Sequence, residues 1–80
     1  MPLYFFDTRD DDRFIEDVDG VELPDLEAVK AISAKSLAEL ARDVIAGSER
    51  RVLTVEARDE QGPVLEARLT FEAVVIAPVS

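Results

Sequence analysis

The sequence predicts an α+β domain with two layers: an antiparallel sheet of about four strands, and one amphipathic helix on one face of that sheet. Two observations predict this fold. Apolar residues repeat at a spacing near 3.6 between residues 24 and 46 and alternate on either side, and Pro24 and Gly47 stand where the spacing changes. With 80 residues, the chain is expected to form a single domain, 1–80, in the order ββαββ.

The first predicted element is a hairpin over residues 3–17. Leu3–Asp7 is rich in aromatic residues, which favour strands, and Arg13–Asp17 alternates loosely between apolar and polar residues. The polar run Thr8–Asp12 is therefore predicted to be the loop between two strands.

A tight turn is predicted directly after this hairpin. Asp17–Gly20 places Asp at the first and Gly at the fourth position of a type I turn, where both residue types are favoured. The apolar run that follows, at 21–23, is predicted to be a short additional strand of the sheet.

A helix is predicted over residues 24–46. Pro24 and Asp25 suit its first turn, where a missing N–H costs nothing and a carboxylate interacts favourably with the helix dipole. Gly47 suits the left-handed residue that commonly ends a helix. One stripe of the helix is expected to pack against the sheet: Leu26, Val29, Ser33, Leu37, Leu40 and Val44.

The second hairpin is predicted over residues 50–76. Apolar faces on both strands point the same way only if the loop has an odd number of residues, and Glu60–Gly62 meets this condition. The predicted cross-strand pairs are Val55 with Ala67 and Leu53 with Leu69. The residues predicted to face water on the other side are Thr54, Glu56, Arg58, Glu66, Arg68 and Thr70.

The C-terminal segment 74–79 is apolar but does not alternate. A strand edge of this kind invites pairing with another strand. We therefore expect the segment either to fold back over its own domain or to pack against a second copy of the chain, and Val74, Val75 and Ile76 are candidate interaction residues.

The net charge of −9 is concentrated at the N-terminus, because residues 1–29 carry ten acids and two bases whereas residues 30–80 carry eight acids and seven bases. Such a surface repels nucleic acids and anionic membranes, and it attracts a basic protein or a cation. The alternative is that the negative charge has no binding role and only keeps a small domain soluble. The acidic residues of this candidate surface are Asp10, Asp11, Asp12, Glu16, Asp17 and Asp19.

Four segments resemble a family of short bacterial proteins classed as a domain of unknown function. They are Tyr4–Asp7, Asp17–Gly20, Glu22–Ala28, and Val55–Asp59 together with Gly62. The resemblance covers most of the chain and implies a fold, but it implies no reaction or ligand. Where such sequences often have an Asp-Gly turn after the first strand, this chain has three consecutive aspartates, Asp10–Asp12.

Enzymatic activity is not expected, because the chain has no histidine and no cysteine to serve as general base or nucleophile. No cofactor or small-molecule substrate is inferred either, since Gly20, Gly47 and Gly62 stand singly and form no phosphate-binding loop. The acidic run also fails the spacing of a calcium loop. Aligning Gly20 with its invariant glycine places Ile15 and Leu26 at ligand positions.

The function that the sequence favours is a module that binds a protein partner or assembles with itself. The alternatives are an antitoxin-like domain that masks a basic toxin and, third, a divalent-cation binder. A cytoplasmic location is expected, because the chain has no cysteine, no basic residue before Asp7 to begin an export signal, and no apolar run long enough to span a membrane.

Overall fold

The computed structural model of the chain describes residues 1–78. It contains one helix, α1 (Leu26–Val44), which continues into a short 3₁₀ turn at Ile45–Gly47. The strands are β1 (Leu3–Asp10), β2 (Arg13–Ile15), β3 (Val21–Glu22), β4 (Arg50–Asp59) and β5 (Gly62–Glu72). The predicted fold, an antiparallel sheet with one helix packed on one face, is confirmed.

The sheet has the order β2-β1-β4-β5, and β3 pairs separately with the first residues of β1. All of these pairings are antiparallel. Strands β1 and β4 lie in the middle, and β5 forms one edge. Over the described residues, no helix combines the length and apolar character that a bilayer span requires.

The first hairpin is tighter than predicted. The loop predicted over Thr8–Asp12 is wrong, because β1 continues to Asp10 and only Asp11 and Asp12 connect it to β2. Pairing with β4 on the other side of β1 keeps these residues extended. Asp11 adopts a φ of 54°, a left-handed conformation that aspartate tolerates better than most residues, and its N–H donates to the carbonyl of Val52 at 2.8 Å.

The helix begins at Leu26, two residues later than predicted, so Pro24 and Asp25 precede its first turn. Asp25 is its N-cap, and Oδ1 of this residue accepts a hydrogen bond from the N–H of Ala28 at 2.9 Å. Leu26, by contrast, was expected in the buried stripe and is 54% exposed. The side chain of the first helical residue points back beyond the helix end, so it does not reach the sheet.

The end of the helix differs from the prediction. Gly47 does not adopt the left-handed conformation, which in residues 1–78 is restricted among glycines to Gly20 and Gly62. The chain instead tightens into the 3₁₀ turn, and Ser48 satisfies the free carbonyls. Its Oγ donates to the carbonyl of Val44 at 2.7 Å and its N–H to that of Ile45 at 3.0 Å.

The core lies between α1 and the sheet. The buried helix residues Val29, Ser33 and Leu37 face the fully buried β4 residues Leu53, Val55 and Ala57. Phe6 packs against both groups of buried residues and joins them into one interior. Ser33 is fully buried and donates its hydroxyl proton to the carbonyl of Val29 at 2.9 Å, so a polar residue fits beneath the helix without an unsatisfied group.

The register of the second hairpin is confirmed: Val55 is opposite Ala67, and Leu53 is opposite Leu69. The loop is shorter than predicted, since Asp59 pairs with Gly62 and only two residues connect the strands. The pairing is irregular after Ala57: Leu65 is opposite Ala57 and Pro63 is opposite Arg58, so β5 contains one extra residue at this point. The strand predicted to reach residue 76 ends at Glu72, and residue 79 of the predicted apolar segment lies outside the described residues.

Candidate functional site

An ion pair between Asp7 and Arg58 lies on the face of the sheet opposite the helix. Nε of Arg58 donates to Oδ2 of Asp7 at 2.8 Å, and Nη2 donates to Oδ1 at 3.4 Å. The guanidinium also lies over the ring of Phe5, with Cζ 4.5 Å from the ring centroid. Asp7 is only 4% exposed, and Arg58 supplies the cation that a buried carboxylate requires.

Asp17 joins this network and forms hydrogen bonds with a part of β1 that has no strand partner on that side. Residues 5–7 of β1 lie between the parts paired with β2 and with β3, and Oδ2 of Asp17 accepts the N–H of Phe6 at 3.0 Å. In return, the N–H of Asp17 donates to Oδ1 of Asp7 at 2.9 Å. The loop after β2 is thus fixed to the middle of β1 by two hydrogen bonds.

The chain bends at Asp17–Gly20, where a turn was predicted, and the side-chain carboxylate of Asp17 organises this bend. Oδ1 of Asp17 accepts the N–H groups of Asp19 at 3.1 Å and of Gly20 at 3.3 Å. Gly20 has a φ of +73°, and a Cβ there would lie 2.9 Å from Cε1 of Phe5. Only glycine therefore fits this turn without strain.

A second ion pair, between Asp10 and Arg51, closes the other end of the core. Nε and Nη2 of Arg51 donate to the two carboxylate oxygens of Asp10 at 2.7 and 2.8 Å. Nη1 donates to Oγ of Ser48 at 3.0 Å, which connects β1 to the end of the helix. The hydrogen bond from Arg51 holds the pKa of Asp10 below its ordinary value.

The six acids predicted as one interaction surface therefore separate into two groups. Asp10 and Asp17 are engaged within the domain, and the pKa of Asp17 is lowered because hydrogen bonds from three backbone N–H groups and the charge of Arg58 outweigh the effect of burial. The remaining four, which we call the acidic surface, are exposed: Asp11, Asp12, Glu16 and Asp19. Oδ1 of Asp11 nevertheless accepts the N–H of Val52 at 3.0 Å. Within residues 1–78, no three acidic side chains are arranged to hold a metal ion.

The sheet face opposite the helix carries two adjacent rows of polar residues that cross β1, β4 and β5. The acidic row contains Asp7, Glu56 and Glu66, which lie directly opposite one another on neighbouring strands. The basic row contains Arg9, Thr54 and Arg68, paired in the same way. A groove of about 110 Å³ is lined by residues of both rows and by Phe14. It is too small for a typical ligand pocket.

The opposite edge of the molecule is formed by β5 and the segment Val74–Ile76, which we call the C-terminal edge. Among the strands that the structure describes, only β4 pairs with β5, so the second side of this eleven-residue strand is open. Val74, Val75 and Ile76 follow it and are 68%, 74% and 95% exposed. The segment does not fold back over its own domain, which was one of the two expectations for it.

Sequence reasoning placed Asp10 and Asp17 on a free surface and did not identify Asp7, Arg51 or Arg58 as their partners. One signal was available for Asp7, because a carboxylate within an aromatic strand requires a cation nearby. The identity of that cation depends on pairing between residues 51 positions apart, which no local pattern reveals.

A family model described as a domain of unknown function, DUF6894, matches residues 3–70. The chain belongs to this family. The suspected resemblance is thereby confirmed, and three of the four segments that carry it meet in space, because Asp7, Asp17, Gly20 and Arg58 of this DUF6894 domain form one network. The match ends within β5, so Val74–Ile76 lie beyond it. Neither the curated proteins nor the solved structures gave a match.

Proposed function

We propose that this domain is a protein-interaction module and that its binding element is the C-terminal edge. The observation that carries the proposal is an open edge strand followed by three consecutive branched apolar residues, all more than two-thirds exposed. An open strand edge offers unpaired N–H and C=O groups, and a partner strand satisfies them while covering apolar side chains.

The acidic surface is the competing binding element, and it supports the alternative of an antitoxin-like domain that masks a basic toxin. Two features weigh against it. Asp10, Asp11 and Asp17 are already paired with arginine or with backbone N–H groups, which leaves three scattered acids: Asp12, Glu16 and Asp19. One of these, Glu16, lies 3.7 Å from Nη2 of Arg58, so the charge available to a basic partner is smaller than the sequence suggests.

Neither catalysis nor cation binding is part of the proposal. The domain lacks histidine and cysteine, and the groove between the acidic and basic rows is small and open to solvent. Cation binding needs several free carboxylates in one place, whereas Asp10 and Asp17 of the acidic run have partners already. A cytoplasmic location is part of the proposal, since the domain contains no cysteine for disulfides.

Two matched variants of the tagged protein test the proposal in cell extracts. In the first, Val74, Val75 and Ile76 are replaced by serine, and in the second, Asp12 and Asp19 are replaced by lysine. Both sets of residues are exposed, so both variants should fold. We expect the captured protein to be lost with the serine variant and retained with the lysine variant. The reverse result would identify the acidic surface as the binding element.

A further inference from the structure

We infer that the partner of the C-terminal edge is a second copy of this chain, bound through antiparallel pairing of β5 with β5 in the register that places Ala67 opposite itself. This inference rests on the proposed function and adds to it the partner and the alignment. A two-fold axis perpendicular to the sheet relates the copies, so the two sheets join into one and both helices lie on the same side.

The charges of β5 select this register. With Ala67 on the axis, Glu66 of each copy is opposite Arg68 of the other, and the opposite-charge pair occurs twice. A register centred on Glu66 places this residue opposite itself, and one centred on Arg68 does the same for the arginine. Like charges directly opposite each other destabilise a strand pair, so both neighbouring registers are disfavoured.

The whole polar face is complementary to itself in this alignment. The two-fold axis exchanges the acidic row with the basic row, so the acidic row of one copy continues into the basic row of the other. Within one copy, Glu66 lies directly opposite Glu56, which is an unfavourable like-charge pair. Arg68 of the second copy supplies a further cation beside Glu66, on the side away from Glu56. Within one copy, Nη2 of Arg68 donates to Oε2 of Glu66 at 2.7 Å.

The helix side of β5 fits the same register. Leu65 of each copy is opposite Leu69 of the other, and Leu69 is 39% exposed in the single copy although it faces the same side as the core. Ala67 at the axis is small and lets the strands approach. Val74–Ile76 follow the end of β5 and therefore extend toward the hairpin turn of the second copy.

Two complementary charge variants test the register. Arg68→Glu gives a strand with acids at both positions, and Glu66→Arg gives a strand with arginines at both. Each variant alone opposes like charges twice, so its self-association should weaken by roughly tenfold or more at low salt. An equimolar mixture should form the heterodimer, because every pair then joins an acid and an arginine. Lys35→Glu, on the exposed helix face, is the control for net charge.

Native mass spectrometry of the mixture, together with sedimentation velocity of each protein up to about 1 mM, gives the readout. A preferred heterodimer, with wild-type and Lys35→Glu proteins both dimeric, supports the inference. Equal association of all variants overturns it, and so does a wild-type protein that remains monomeric. If the wild type is monomeric while the serine variant of Val74–Ile76 still loses a captured protein, the inference fails and the proposed function stands.

Discussion

Arg58 donates from Nε to Oδ2 of Asp7 across 2.8 Å, and the two residues lie on the neighbouring central strands β4 and β1. The pair is 51 residues apart in the sequence. It fixes the two halves of the chain on the face of the sheet that no helix covers. The charged residues of this face therefore contribute to the fold.

Replacing Asp7 with alanine should lower the free energy of unfolding by about 1–3 kcal/mol, because a nearly buried hydrogen-bonded charge is lost and the N–H of Asp17 loses its acceptor. Glu72→Gln is a matched control, since its pair with Arg50 is exposed and 3.7 Å long, and its effect should stay within about 0.5 kcal/mol. Urea unfolding measures both. Equal effects of the two substitutions would contradict a structural role for Asp7.

Gly20→Ala should destabilise the domain by about 1–3 kcal/mol, because the new Cβ meets Phe5 and the φ of +73° is strained for alanine. Gly47→Ala provides the opposite case. No atom lies within 4 Å of a Cβ there and the φ is not positive, so the variant should be neutral or more stable by up to about 1 kcal/mol. Thermal unfolding distinguishes them, and a similar loss for both variants would show that the turn is not restrictive.

Leu53 and Leu69 are directly opposite each other but differ in burial. Leu53→Ala should cost about 2–5 kcal/mol because the residue is fully buried, whereas Leu69→Ala should cost less than about 1.5 kcal/mol. Chemical denaturation at a dilution where the protein is monomeric separates this effect from any role of Leu69 in association. A larger loss of unfolding free energy for Leu69→Ala than for Leu53→Ala would contradict the position of Leu53 in the core.

The domain is expected to lose stability in acid because of Asp10 and Asp17. Each has a pKa below its ordinary value in the folded domain, and an unfolded aspartate has a pKa near about 3.9. Their contribution is therefore complete above about pH 5 and is lost as the pH falls through the lower folded pKa. The Asp10→Asn and Asp17→Asn variants should show a shallower decline of unfolding free energy between about pH 5 and pH 2. An unchanged slope would assign the acid sensitivity to other carboxylates.

The elements that depend on local periodicity were predicted well. Alternation gave the pairing of Val55 with Ala67, although the loop between the strands is shorter than predicted, and the 3.6 spacing gave the helix. Features that depend on distant partners were not predictable in the same way. Thr8–Asp10 looked like a loop because they are polar, and they are extended because β4 pairs with them.

The candidate site was predictable only in part. Val74–Ile76 are exposed and follow a strand that ends at Glu72, and a partner for this segment stays a prediction. The acidic run was treated as one surface because charge counting cannot tell a free carboxylate from a paired one. Arg51 and Arg58 belong to a different hairpin, and only the tertiary fold brings them to Asp10 and Asp7.

Amide hydrogen exchange along β5 at low and high protein concentration tests the central claim most directly. If a second copy pairs with this edge, the backbone N–H groups on its open side should exchange more slowly at high concentration, while those of α1 keep their rates. The slowed amides should centre on Ala67. Identical exchange of β5 at both concentrations would contradict the assignment of this edge as the site of self-assembly.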